Sequence, residues 1–140
     1  MIHEEICTYE VCKLAKEKGF KEEVFAYYDC EGDLVYVVSP YRGSSIIEIL
    51  VDKNKQNPIG AEYTSAPTQP LLQRWLREEK GIIVEVFVDD DSNMPLTYNI
   101  HQYKDLNWEC VCHHHGNYYA VNDWELCLED ALKYALKNLV

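Results

Sequence analysis

The closing segment "WELCLEDALKYALKNL" constrains this chain more than any other. Trp124, Cys127, Leu128, Ala131, Leu132, Ala135, Leu136 and Leu139 recur at helical spacing and make one broad apolar stripe. Such a helix is stable in water only when another layer covers the stripe. Asp123 stands where an N-cap is expected.

The layer is supplied by strand-like segments. "IIVEVFV" (82–88) follows Gly81 and puts Ile82, Val84, Val86 and Val88 on one face by alternation. "LTYNIHQY" reads as the next strand, and "NWECVCHH" with "YYAV" as a hairpin around Gly116 and Asn117. Upstream, "EVFAYYD" and "LVYVVSPY" flank "CEGD", where Gly32 signals a hairpin turn.

Two further helices complete the pattern. The first spans about 8–18, with Thr8 as N-cap, a stripe of Val11, Cys12, Leu14 and Ala15, and Gly19 as the stop. The second lies in "TSAPTQPLLQRWLREEKG", capped by Ser65 or Thr68, with Pro70 tolerable only in the first turn. Leu71, Leu72, Trp75 and Leu76 form its buried face, and Gln73, Arg74, Arg77 and Glu78 point to water. The segment 43–64 is linker-like: "SIIEILV" suits a strand or a short helix, and "DKNKQNPIG" is a polar loop. The expected fold is α+β, with helices packed on a largely antiparallel sheet in the order α-ββ-(link)-α-βββ-α, as one domain over residues 1–140. The match of "LAKEKGFKEEVF" to "LREEKGIIVEVF" reads as shared helix-Gly-strand grammar rather than duplication.

At "GFKEEVFAYYDCEGDL", "SAPTQPLLQRWLREEKGI" and "WELCLEDALKYALKNL" the chain resembles a group of small proteins encoded by Bacteroides-type gut bacteria and their phages and prophages. Ser65 to Gln69 leading into Trp75 to Glu78 is the most specific of these motifs; members usually carry a small polar residue in place of Pro70. The resemblance implies a phage or prophage setting and carries over no catalytic residue.

Charge narrows the functional classes. A net charge of −11 disfavours direct binding to nucleic acid or to an anionic membrane, since both need a basic face. The second half of the chain shares the α-β-β-β-α order of a double-stranded-RNA-binding domain, but Asp123, Glu125, Glu129 and Asp130 stand where such a domain carries basic residues. No apolar run approaches the roughly 20 residues that span a bilayer. The acidic "MIHEEICTYE" is unlike a signal peptide, which suggests a cytoplasmic protein with its six cysteines reduced.

"CVCHHHGN" (110–117) is the stretch most suggestive of chemistry. Strict alternation would put Trp108, Cys110, Cys112 and His114 on one face and Val111, His113 and His115 on the other, so the ligand-type residues would not converge. Core packing of both cysteines is therefore expected. A metal, if held, would draw on Cys110, Cys112, His114 and Cys127. "DDDSN" imitates a calcium loop through Asp89, Asp91 and Asn93 but has Met94 and Ile100 where glycine and glutamate belong. No P-loop, dinucleotide fingerprint or nucleophile elbow occurs, and no catalytic residue or cofactor is expected. Tyr27, Tyr28, Tyr118 and Tyr119 suit strands and interfaces alike.

The expected function is a non-catalytic, phage-type or prophage-type accessory protein that binds an unidentified protein partner. The contact surface would be an exposed sheet face or the Gln73, Arg74, Arg77 side of the second helix. The alternatives are an acidic mimic of nucleic acid that inhibits a host DNA-binding protein, and a small metal-binding protein using residues 110–115.

Overall fold

A computed structural model describes residues 4–37, 62–89, 93–113 and 117–140. These residues bear out the α+β fold and the expected order of elements. They form two compact units, Glu4–Thr68 and Gln69–Val140.

The first unit comprises α1 (Tyr9–Glu17), β1 (Ala26–Tyr28), β2 (Leu34–Tyr36) and β3 (Thr64–Ser65). The Thr8 hydroxyl accepts a hydrogen bond from the Val11 amide at 3.4 Å and starts α1 as expected. Gly19, at φ +94°, ends the helix, and the Phe20 amide donates back to the Ala15 carbonyl. Val11, Cys12 and Ala15 are buried, as are Phe20, Val24 and Ala26. The β1–β2 hairpin turns where Asp29 Oδ1 accepts from the amides of Glu31 and Asp33 and Gly32 sits at φ +83°. Strand order is β2-β1-β3, antiparallel throughout.

Ser65 does not cap the second helix. It lies buried in β3 opposite Tyr27, and Thr68 immediately precedes the helix. The "SIIEILV" segment and most of 43–64 lie outside the described residues.

The second unit comprises α2 (Gln69–Lys80), β4 (Ile82–Val88), β5 (Leu96–Lys104), β6 (Asn107–His113), a 3-10 turn at Val121–Asp123 and α3 (Trp124–Asn138). Pro70 falls in the first turn of α2, where an amide hydrogen has no helical partner to lose. The strands pair antiparallel in the order β4-β5-β6.

Helix α3 packs on β4 and β5, burying Cys127, Leu128, Ala131, Leu132, Ala135 and Leu136. The register puts Ile82 and Val84 of β4, Leu96, Tyr98 and Ile100 of β5, and Cys112 of β6 on one face, and all six are buried. Burial fades at the ends of the expected stripes: Val88 and Trp124 are exposed.

The third strand pairing differs from expectation. "NWECVCH" does not form a hairpin with "YYAV"; both bond to β5. The hairpin joins β5 to β6 through Asp105 and Leu106, at φ 49° and 68°, the paired left-handed pattern that tight two-residue turns require. Tyr119 then exchanges both backbone hydrogen bonds with Leu96.

Candidate functional site

The face of the β4-β5-β6 sheet opposite α3 carries the features that core packing does not use. Thr97, Asn99, His101 and Tyr103 of β5 share it by alternation, with Glu85 of β4 and Trp108 and Cys110 of β6 brought there by register. At one end the face is closed: Thr97 is buried and its hydroxyl donates to the Asn117 carbonyl. Toward the hairpin tip it opens. Tyr103 and Trp108 are cross-strand partners with ring centroids 5.3 Å apart, yet they remain 46% and 48% exposed. Leu106, at the tip, is 84% exposed.

Beside the ring pair, His101 Nε2 lies 3.0 Å from Glu85 Oε1, and Cys110 stands directly across from His101. Alternation alone would have put Cys110 and Cys112 on one face. A β-bulge overturns that: Cys110 opposes His101 and Cys112 opposes Ile100, so Val111 is the extra residue. Cys112 therefore enters the core while Cys110 is exposed.

The candidate metal set is dispersed by the same bulge. Cys112 and Cys127 both lie near Tyr98 in the core; Cys110 faces the other way, and His114 lies outside the described residues. Burial, and secondarily Cys110, pushes the Cys112 thiol up. Burial, and secondarily Asp130, pushes Cys127 up to about 12. Metal ligation needs thiolates, which such surroundings oppose. Among the described residues no group of three His, Cys, Asp or Glu could hold a metal ion. The acidic "DDDSN" turn lies partly outside the described residues; Asp89 accepts a hydrogen bond from the Tyr118 hydroxyl.

The buried tyrosines are structural. Burial first and the charges of Cys112 and Asp130 next hold Tyr98 at about 12. Tyr119 donates to Asp130 Oδ2 at 2.5 Å and is likewise shifted upward, first by burial and then by that carboxylate. Gln69 donates to the buried Glu129 carboxylate and to the Glu125 carbonyl, tying the start of α2 to α3. In the first unit, Tyr28 donates to the Cys7 carbonyl and Tyr27 meets Tyr63 edge-on.

The second expected surface is a groove of about 350 Å³ between α2 and β4, lined by Pro70, Gln73, Arg74, Arg77, Ile83 and Val84. Gln73 does not point to water; it donates to the Val84 carbonyl. Arg74 pairs with Glu78 at 2.9 Å, and Arg77 reaches the same carboxylate oxygen at 3.9 Å. Exposed pairs of this kind add little stability.

Fold and surface together define an α+β protein with two antiparallel sheets, one of which keeps an aromatic face open. Comparison with protein-family models, with curated proteins and with solved structures finds no match to the chain. Among the described residues no helix is long and apolar enough to cross a membrane.

Proposed function

We propose that this protein acts without catalysis, by binding another protein through the open end of its β4-β5-β6 sheet, as a phage-type or prophage-type accessory factor. One observation carries the reading. Tyr103, Leu106 and Trp108 gather three large apolar side chains on one exposed hairpin, and Leu106 does so at φ 68°, where glycine would be less strained. The two-residue turn accounts for the backbone conformation but not for the use of an exposed leucine to adopt it. Tyrosine and tryptophan are also the side chains that most often anchor protein interfaces. The accessory setting rests on the motif resemblance, and the net charge of −11 favours a protein partner over a polyanion.

The test is affinity capture from host-cell lysate with three baits: the native chain, Tyr103→Ala/Trp108→Ala, and Arg74→Ala/Arg77→Ala. A protein retained stoichiometrically by the first and third baits and lost from the second supports the hairpin surface. Loss from the third alone moves the surface to the α2 groove. Identical retention by all three rejects both.

A further inference from the structure

We infer that Cys110 is a modification site: an exposed thiol that exchanges with low-molecular-weight disulfides, with His101 accepting its proton and Glu85 orienting the imidazole. The inference stands apart from the partner-binding reading and needs no partner.

The three side chains lie on one sheet face on three neighbouring strands, so rigid elements rather than loops place them. Direct cross-strand neighbours have Cβ atoms about 4.5–5.5 Å apart, which brings Cys110 beside His101. The thiol donates to the Cys112 carbonyl at 3.6 Å, so the inferred step requires a χ1 rotamer that gives up this bond and turns the sulfur toward the His101 ring. The contact of His101 Nε2 with Glu85 at 3.0 Å suits the tautomer whose Nε2–H donates to the carboxylate, leaving Nδ1 as the basic nitrogen. Base and orienter thus stand in the order in which nucleophilic thiols are assisted elsewhere.

The step balances with a disulfide R–S–S–R as the only co-reactant. The Cys110 proton passes to His101 Nδ1 as its sulfur attacks one disulfide sulfur. The S–S bond breaks, and the departing thiolate takes the proton back from the imidazolium. Cys110 is oxidised to a mixed disulfide, and the departing sulfur is reduced to a thiol.

The other thiols supply controls. Cys7, Cys12, Cys112 and Cys127 are buried, and Cys30 is exposed in the β1–β2 turn between Asp29 and Glu31. The full chain is treated at neutral pH with 2-hydroxyethyl disulfide, an uncharged probe on which the chain's net charge exerts no pull. Adducts are followed by mass spectrometry of peptides after the remaining thiols are blocked.

Cys110 is expected to form the mixed disulfide at least about tenfold faster than Cys30. His101→Asn is expected to bring the two rates within about twofold, leaving Cys30 unchanged, and Glu85→Gln to give an intermediate rate. Continued protection of the four buried cysteines shows that each variant is folded; His101→Gln replaces any variant that loses it. Equal rates in the native chain, or a Cys110 rate indifferent to His101 substitution in a folded variant, would overturn the inference.

Discussion

Cys110 and Cys112, separated only by Val111, face opposite sides of the β4-β5-β6 sheet. One inserted residue thus assigns one thiol to the surface and the other to the core. Native alkylation with a small neutral maleimide should therefore label Cys30 and Cys110 quickly and leave the other four thiols untouched. In denaturant all six should react. A native chain in which Cys112 reacts as fast as Cys110 would place both on one face and remove the bulge.

Leu106 separates folding from function. At φ 68° a leucine carries a backbone strain of order 1–2 kcal/mol, partly offset on substitution by the extra freedom of glycine in the unfolded chain. Leu106→Gly is expected to raise stability by about 0.5–1 kcal/mol, read as a higher urea midpoint at unchanged slope. The same variant should retain less partner in the capture experiment. A variant that loses stability would instead show Leu106 to be packed, and would weaken the hairpin as a docking surface.

The weight of the second unit's core falls on α3. Leu132 is fully buried and Leu126, on the same helix, is 53% exposed. Leu132→Ala should cost about 2–5 kcal/mol, and Leu126→Ala no more than about 0.5 kcal/mol. Similar losses at both positions in thermal or urea unfolding would mean that the helix face is assigned wrongly.

Helices were legible because their signals are local. Thr8 and Gly19 bracket α1, and the stripe from Cys127 to Leu136 names the face that α3 buries. The β5–β6 hairpin was not legible. Its turn is Asp105-Leu106, with neither glycine nor asparagine, whereas the sequence places favoured turn chemistry at Gly116-Asn117 and Tyr119 pairs with Leu96 of β5 instead of with β6. The bulge was invisible for a related reason. Alternation predicts faces only while the pairing stays regular, and nothing in "ECVCH" shows that Val111 is skipped. The Glu85-His101-Cys110 row combines residues from three strands and needed the register before it could be seen. Of the two cap candidates, Thr68 stands directly before α2; Ser65 resembles a cap because it precedes a proline-containing helix start, while its burial in β3 depends on pairing with distant Tyr27.

The neutral groups buried under α3 set the alkaline limit of stability. Cys127 is moved from an ordinary value of 9.0 up to about 12, and Tyr98 from 10.0 up to about 12; Cys112 and Tyr119 move in the same direction. Above these ordinary values the unfolded chain has released protons that the native chain still holds, so raising the pH favours unfolding. The stabilising contribution is complete below about pH 9, declines as the pH rises, and is lost on passing the folded values near 12. Each group adds at most about 1.4 kcal/mol per pH unit to the decline. Urea midpoints measured from neutral pH to about pH 11 should stay level and then fall, first through the thiols and then through the tyrosines. Cys127→Ala should lower stability at neutral pH by opening a small cavity, yet flatten the first part of the alkaline fall. A native profile that stays level past pH 10 would mean that these groups ionise as readily in the folded chain as in the unfolded one, and would overturn their assignment as buried neutral groups.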